Sequence, residues 1–377
     1  MTFLKVIGII VGILVLGVAG FIGYYNYRLK NIKDTHDLQA QVDRLCLEYL
    51  QEGKGVGLYV GIVQNGRIYG RGYGVADKET GAAPDSNTIF EIGSISKVFT
   101  TEIAQQLVEQ GQLNWHDNII KYLPPEARPV KDDTTTLLHL ATHTSGYPRL
   151  PKSWFAQLEA DKCDPYRTLT IQDVYKVVRN AEDKVSPSMK NSDYSNLGMG
   201  LLGHILEWKA GKPYEQLLQE YMCAPLGMGS TTTLHKNDMI MATGHDDKGN
   251  KTCYWTLPVL QGAGAIKSNG ADMLRFLEVN MGDGSPLSKT FAATQTPVAE
   301  TVSGGVGLGW HMDVLSGIMY GIDSIKCHNG GTGGFRSYLG FIPGRNTGVV
   351  VLSNCSHSGF DKLAVKILCK AGTVSLR

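Results

Sequence analysis

The strongest constraint on the fold is the position of the β-forming runs, which lie near both ends of this 377-residue chain. Near the start, 56–63 and 67–75 are rich in strand-forming residues, and Asn65-Gly66 between them is a strong signal for a β-hairpin. Near the end, strands are predicted over 317–322, 337–342 and 347–353. Because helical patterns fill the middle, we expect one sheet built from both ends, with a helical insertion between them.

Helical periodicity marks most of the remaining chain. The first predicted helix has Leu38, Val42 and Tyr49 on one face, and Gly53 follows it. Helices are predicted over 36–50, 95–110, 171–180, 197–209, 214–221, 271–280 and 362–371. The fold class is therefore α/β, of the α+β kind with its strands and helices in separate parts of the chain.

Composition excludes several classes of function. A net charge of +1 and 19% charged residues give no positive excess for binding phosphates, so nucleic acid is not an expected partner. The seven cysteines form no C-x-x-C pair and have no histidines at zinc-ligand spacing, so no metal and no other cofactor is expected. Their odd number leaves at least one thiol unpaired, and the redox compartment stays open.

Residues 1–33 are predicted to form a membrane anchor or a signal segment. The twenty residues 6–25 carry no charge, which is enough to cross a bilayer as a helix. A cleaved signal peptide is the alternative, and a border of tyrosines favours the anchor, namely Tyr24, Tyr25 and Tyr27. The downstream cations Arg28, Lys30 and Lys33 outnumber Lys5, and the positive-inside rule would keep the rest of the chain in the cytoplasm.

A candidate nucleophile and base occur together in Ser94-Ile95-Ser96-Lys97. A serine at a helix start and a lysine three residues later lie on one face of the helix. The lysine can take the serine proton if burial or a nearby cation keeps its amine neutral, and helix N–H groups can stabilise an oxyanion. The S-x-x-K pattern is a signature of class A β-lactamases and penicillin-binding proteins. On this motif alone, a helix cap followed by a solvated lysine is the simpler explanation.

Two further motifs strengthen the catalytic interpretation. Tyr194-Ser195-Asn196 precedes a predicted helix, where the tyrosine can relay a proton and the asparagine amide can hold a substrate carbonyl. The third motif begins at His328 and Asn329, and Gly330 and Gly331 allow a substrate to lie against a strand edge. The order of the three motifs along the chain is more informative than any one of them.

With these motifs in order, the chain resembles class C β-lactamases and their relatives, the low-molecular-weight penicillin-binding proteins, D-aminopeptidases and β-lactamase-like esterases. The likeness covers about 56–354, in the segments 90–124, 137–148, 225–228, 262–272, 307–310 and 328–354. It implies an antiparallel sheet flanked by helices, with an all-helical lobe inserted. Residues 34–377 would form the hydrolase domain, with the sheet over about 34–95 and 300–377 and the lobe over about 96–299.

The resemblance also implies roles for the motif residues. Ser94 would be the nucleophile, Lys97 its general base or the group that holds the base, and Tyr194 the second acid–base residue. Asn196 would bind the substrate amide, and the N–H groups of Ser94 and Gly331 would form the oxyanion hole. The substrate would lie along the strand of His328, Asn329 and Gly330.

The third motif departs from the family pattern, because His328 stands where β-lactamases have the lysine of Lys-Thr-Gly. A histidine is charged only part of the time near neutral pH, so carboxylate recognition is expected to be weaker or pH-dependent. The acyl donor therefore stays open between a β-lactam, a D-amino-acid peptide and an ester. A D,D-peptidase or penicillin-binding sensor with slow deacylation is also compatible.

Other patterns point to no additional chemistry. His139 and His143 have helical i, i+4 spacing but lack the glutamate of H-E-x-x-H, and His143 is expected to shape a loop beside the site. The chain has no G-x-S-x-G elbow, which argues against an α/β-hydrolase. Trp310 and Tyr338 either line a substrate groove or pack in the core. Members of the resembled family usually work outside the cytoplasmic membrane, so we expect the catalytic domain to be periplasmic or extracellular. This expectation is opposite to the one that the charges flanking residues 6–25 give.

Overall fold

The computed structural model describes residues 37–190, 192–235, 239–301 and 304–376. The predicted anchor or signal segment, 1–33, lies outside these residues. Within the described ranges, no helix is long and apolar enough to span a bilayer.

The centre of the fold is an antiparallel sheet whose strands come from both ends of the described chain. In spatial order, the eight strands are β2, β1, β10, β9, β8, β7, β6 and β5. Their bounds are β1 Gly57–Gln64, β2 Arg67–Gly74, β5 Ala299–Thr301, β6 Gly304–Val306, β7 His311–Asp313, β8 Ile325–Gly331, β9 Arg336–Ile342 and β10 Thr347–Ser353. β1 and β10 pair antiparallel with each other, so the strands from the two ends of the chain meet one strand in from the β2 edge of the sheet. The predicted sheet from both chain ends is confirmed.

The predicted hairpin is confirmed in register. Gln64 pairs with Arg67, and both turn residues have positive φ, 50° at Asn65 and 76° at Gly66. Asparagine and glycine tolerate this left-handed region, which a two-residue hairpin turn requires. The turn therefore fixes which side chains of β1 face each layer of helices.

The sheet lies between two layers of helices. The bounds are α1 Leu38–Gln51, α2 Ser96–Glu109, α3 Leu137–Ala141, α4 Phe155–Ala160, α5 Ile171–Asn180, α6 Asn196–Ala210, α7 Tyr214–Leu218, α8 Ala224–Leu226, α9 Gln261–Gly264, α10 Gly270–Met281, α11 Pro286–Thr294, α12 Val314–Tyr320 and α13 Phe360–Ala371. Every residue of β1 is buried. Leu58, Val60 and Ile62 pack in one core cluster with α1 and α13, whereas Tyr59 and Val63 belong to the other. This alternation explains why β1 is apolar on both faces.

One predicted strand, 317–322, is wrong. This segment lies in α12, where the Asp313 carboxylate accepts a hydrogen bond from the Ser316 N–H at 2.9 Å and caps the helix. Gly321 ends it at a φ of 66°. A short apolar run fits a helix or a strand equally well, and here the cap and the terminal glycine favour the helix.

A second, two-stranded sheet leads into the catalytic segment. β3, Ile89–Glu91, pairs antiparallel with β4, Lys267–Asn269. A 3₁₀ turn, Gly93–Ile95, follows β3. Helix α2 therefore begins at Ser96, one residue later than the predicted start at residue 95. β4 and α10 fall in the range predicted for the helical lobe, although α10 packs against β1 and β10. The sheet and lobe boundaries stay predictions.

A disulfide joins Cys163 to Cys253, with the two Cα atoms 5.2 Å apart. The other described cysteines are buried free thiols: Cys46, Cys223, Cys327, Cys355 and Cys369. The bonded residues belong to two loops that also meet at Tyr166 and Trp255, whose ring centroids are 5.1 Å apart. The disulfide therefore links the two loops that form one wall of the site described next.

Candidate active site

Ser94 is the point where a buried segment reaches solvent. Between Thr88 and Gln105 every residue is buried except Ser94, which is half-buried. It lies in the 3₁₀ turn ahead of α2, and the Ser96 hydroxyl donates to the Gly93 carbonyl at 2.7 Å and fixes this turn. The fold thus presents one hydroxyl at the end of a rigid helix.

The glycines of the third motif bring strand β8 against this turn. A Cβ atom at Gly93 would lie 2.7 Å from the Gly331 nitrogen, and one at Gly330 would lie 2.0 Å from the Ile92 carbonyl oxygen. Gly93 also has a φ of 49°. Only glycine permits this approach, which brings the Gly331 backbone next to the residue that precedes Ser94.

Lys97 is buried directly behind Ser94. Its amine lies 3.0 Å from the Ser94 hydroxyl oxygen and donates to the Ala263 carbonyl oxygen at 2.6 Å. Burial, helped by the positive charge of Arg149, holds the pKa of the Lys97 amine well below its ordinary value. The solvated lysine that the motif alone allowed is therefore not what the structure contains.

The loop carrying Tyr194 is held by the loop after α3. The Ser195 N–H donates to Nδ1 of His143 at 3.1 Å, and the Asp193 N–H donates to the His143 carbonyl at 2.8 Å. The Arg149 carbonyl accepts the N–H of Asn196 at 3.1 Å. His143, at a φ of 59°, thus shapes the loop beside the site as expected.

Tyr194 lies against Lys97. The Lys97 amine is 4.7 Å from the centre of the Tyr194 ring, and the His143 ring lies 4.5 Å away on centroids. Burial raises the pKa of the Tyr194 hydroxyl, while the nearby Ser94 hydroxyl and the charge of Arg149 oppose that rise. The side chains of Ser94, Lys97 and Tyr194 therefore form one contact group.

The protonation state of His328 differs from the partial positive charge that the sequence predicted near neutral pH. It is buried, and burial together with the charges of His311 and Lys97 keeps the pKa of its imidazole well below the ordinary value. Nδ1 lies 2.6 Å from the Asn329 carbonyl, which can only accept, so Nδ1 carries the proton and Nε2 does not. His328 is thus a neutral imidazole at neutral pH.

A narrow cleft opens in front of these residues, with an empty volume of about 280 Å³. Three predicted site residues line it: Ser94, Asn196 and Gly331. Its other walls come from Tyr166, Trp255, Leu257, Leu260, Ala263, Gly264 and Thr332. Asn329 is exposed and Gly330 is buried, and neither is among the lining residues. Trp310 and Tyr338 are buried in the core.

The family comparison agrees with this arrangement. The Beta-lactamase family model matches residues 42–369. The chain belongs to this family. It is a serine hydrolase with the mixed α/β fold of the β-lactamases and penicillin-binding proteins.

Curated members of the Beta-lactamase family carry two kinds of name. A β-lactamase from Pseudomonas fluorescens is 27% identical over 358 residues, covering 87% of this chain and 96% of that protein. The D-alanyl-D-alanine-carboxypeptidase/endopeptidase AmpH from Escherichia coli K12 is 29% identical over 327 residues, covering 82% of each. A β-lactamase/D-alanine carboxypeptidase from Pseudomonas syringae shares the fold, with a TM-score of 0.76 and 23% identity over 88% of this chain and 98% of that one.

Sequence motifs missed several residues of this β-lactamase-like site. The His311 ring lies 4.9 Å from that of His328, and burial next to Lys97 lowers the pKa of His311 to about 4. The Arg149 guanidinium carbon lies 5.1 Å from the centre of the Tyr194 ring. Both residues come from segments without a recognisable motif, so only the folded chain brings them to the site.

A buried carboxylate, Glu91, lies next to the cleft. Burial raises the pKa of its carboxyl group to about 7, and Lys267 opposes this rise. The Trp255 backbone N–H donates to the Glu91 carboxylate at 2.6 Å. Because Trp255 lines the cleft, this hydrogen bond helps to hold one of its walls in place.

The described ranges contain no group of three or more residues suited to hold a metal ion. The two histidines at i, i+4 spacing serve other purposes. His139 closes a capping box with Thr136 at the start of α3, and His143 accepts the Ser195 N–H.

Proposed function

We propose that this family member hydrolyses its substrates through an acyl-enzyme on Ser94, with Lys97 as the base. The observation that carries the proposal is the 3.0 Å contact between the half-buried Ser94 hydroxyl and a buried amine whose pKa is depressed. A neutral amine at hydrogen-bond distance can accept the serine proton.

In acylation, the Ser94 proton passes to the Lys97 amine as Oγ bonds to the substrate carbonyl carbon. The N–H groups of Ser94 and Gly331 stabilise the negative oxygen of the tetrahedral intermediate. The carbonyl re-forms as the leaving group departs, and Tyr194 passes the proton to it from the lysine. In deacylation, water gives a proton to the same groups and attacks the ester carbon, which releases the acid and restores the Ser94 hydroxyl.

Asn196 is proposed to hold the acyl part of the substrate. It is the first residue of α6, it lines the cleft, and its Oδ1 is buried without a hydrogen-bond partner. A buried carbonyl oxygen without a partner is costly, so a substrate N–H is a favourable occupant. The strand of His328, Asn329 and Gly330 would flank the substrate along its length.

Two substrate classes follow from the family. β-Lactams and D-amino-acid peptides are the acyl donors that the names of its relatives suggest, and both would place an amide carbonyl before Ser94. Neutral His328 leaves the site without the cation of Lys-Thr-Gly, and this feature favours a small-ester hydrolase as the second candidate.

Intact-protein mass spectrometry over time separates these possibilities. The wild type is mixed with a penicillin, a cephalosporin, a D-Ala-D-Ala peptide or a phenyl acetate ester. We expect an adduct on Ser94 with at least one of them. Rapid loss of a penicillin adduct indicates a β-lactamase, whereas a lasting one indicates a sensor or slow peptidase. Neither an adduct nor turnover with any of the four would contradict the proposal.

For its location, we propose that 1–33 anchors the chain in the cytoplasmic membrane, with the catalytic domain outside. The uncharged run 6–25 supports an anchor, and the Cys163–Cys253 disulfide supports an oxidising compartment. Protease added to intact spheroplasts should digest the domain and leave cytoplasmic markers intact. Protection of the domain would place it in the cytoplasm, and release into the medium with a shortened N-terminus would indicate signal cleavage.

A further inference from the structure

One arginine beside the candidate active site forms no ion pair with the carboxylates that the structure describes. Arg149 is exposed, and its guanidinium lies over the Tyr194 ring at 5.1 Å. The described arginines with ion pairs are Arg71, Arg167 and Arg275, and no described carboxylate pairs with Arg149. Its charge is therefore available to a ligand.

Arg149 is positioned on the side of the site formed by Asn196. Its carbonyl accepts the N–H groups of Asn196 and Leu197 at 3.1 and 3.3 Å, which ties its backbone to the start of α6. Burial raises the pKa of Tyr166, which lines the cleft together with Asn196, and the positive charge of Arg149 opposes that rise. Arg149 thus adjoins, through its carbonyl and the Tyr194 ring, the Asn196 wall that the proposed function assigns to the acyl part of the substrate.

The other basic groups around Tyr194 are poor anion ligands. Lys97, His143 and His328 are buried, and their pKa values lie well below the ordinary ones. A guanidinium stays charged throughout the working range and can bind a carboxylate through two parallel hydrogen bonds. Among the basic groups around Tyr194, Arg149 is consequently the one that suits an anionic ligand.

We propose that Arg149 is a specificity residue that binds a carboxylate on the acyl part of the substrate, the part that stays on Ser94. The inference rests on the proposed function, because Ser94 and Asn196 define the acyl side. It favours acyl donors with a free carboxylate near the scissile carbonyl, such as a peptide with an acidic side chain or terminus in its acyl portion.

The test compares phenyl esters that differ in one group. N-Glutaryl-D-alanine phenyl ester has a carboxylate on its acyl part, and N-glutaramoyl-D-alanine phenyl ester has a carboxamide there. A third ester has the carboxamide acyl group and a meta-carboxylate on the phenol. The readout is the kcat/KM of each carboxylate ester divided by the kcat/KM of the carboxamide ester. Effects of Arg149 on Lys97 or Tyr194 are common to all three esters and cancel in this ratio.

We expect the wild type to prefer the acyl-side carboxylate by about 10- to 100-fold, and Arg149→Gln to remove most of this preference. Arg149→Lys should retain part of it. The matched control is Arg336→Gln, a second arginine beside the site. Nη1 of Arg336 lies close to Gly331, since a Cβ atom built on Gly331 would be 2.4 Å from it, and the Arg336 Nε donates to the Ser356 carbonyl. This control should keep the preference.

Three results would overturn the inference. The first is an unchanged ratio in Arg149→Gln. The second is a ratio lost in Arg336→Gln but kept in Arg149→Gln. The third is an Arg149 effect confined to the ester with the carboxylate on its phenol. If the protein forms no Ser94 adduct with any of the three esters and hydrolyses none of them, the proposed function is refuted, and this inference with it.

Discussion

Ser94→Ala is expected to abolish covalent adducts and to lower kcat by roughly 10⁴-fold or more, since removal of a nucleophile leaves only binding and oxyanion stabilisation. The alanine keeps the backbone N–H that we assign to the oxyanion hole. Because Ser94 is half-buried and its hydroxyl makes few contacts, the free energy of unfolding should change by less than about 1 kcal/mol. Intact mass and steady-state hydrolysis of the same substrate measure the two effects.

Ser96→Ala is the matched control for this variant. The Ser96 hydroxyl is fully buried, donates to Gly93 and accepts the Ile266 N–H at 3.1 Å. Its loss should destabilise the fold by about 1–3 kcal/mol while adducts still form on Ser94. An adduct that persists in Ser94→Ala and maps to another residue would contradict Ser94 as the nucleophile.

Local patterns predicted most of the fold. The helix over 171–180 has the bounds that its periodicity predicted, and the Asn65-Gly66 turn has the register that its residues require. The short strands β5, β6 and β7 escaped prediction because three residues are too few to show alternation. Their pairing depends on neighbours that are distant in sequence.

The site was predictable only where motifs mark it. Ser94, Lys97, Tyr194 and Asn196 are neighbours in the structure, as their order along the chain predicted. The charge on His328 was not predictable, because it depends on burial and on His311 and Lys97, which other elements supply. Arg149 was missed for the same reason, since an exposed arginine in a loop has no local pattern that reveals the Tyr194 ring beneath it.

Lys97→Met should lower the acylation rate by about 10²- to 10⁴-fold, the usual contribution of a positioned base. Lys97→Arg should be similarly inactive at every pH, because a guanidinium cannot give up its proton to become a base. In the wild type, kcat/KM should fall as the pH falls through the folded-state pKa of Lys97, since protonation removes the acceptor. Wild-type activity in Lys97→Arg would exclude residue 97 as the base.

The same depressed pKa makes a stability prediction with a definite sign. Between the folded-state pKa of Lys97 and about 10.4, the value in an unfolded chain, the unfolded state binds a proton that the folded state lacks. This residue therefore makes the free energy of unfolding rise with pH in that window, by about 1.4 kcal/mol per pH unit at most. Lys97→Met removes this contribution.

The midpoint difference between wild type and Lys97→Met should consequently change with pH between the folded-state pKa of Lys97 and pH 10, with the wild type gaining on the variant as the pH rises. The lost hydrogen bond to the Ala263 carbonyl shifts every midpoint of the variant by a similar amount, so it does not affect the slope. Thermal unfolding followed by circular dichroism at five pH values measures the trend. A constant difference would mean that the folded protein holds Lys97 protonated throughout this range, and a protonated lysine cannot take the proton from Ser94.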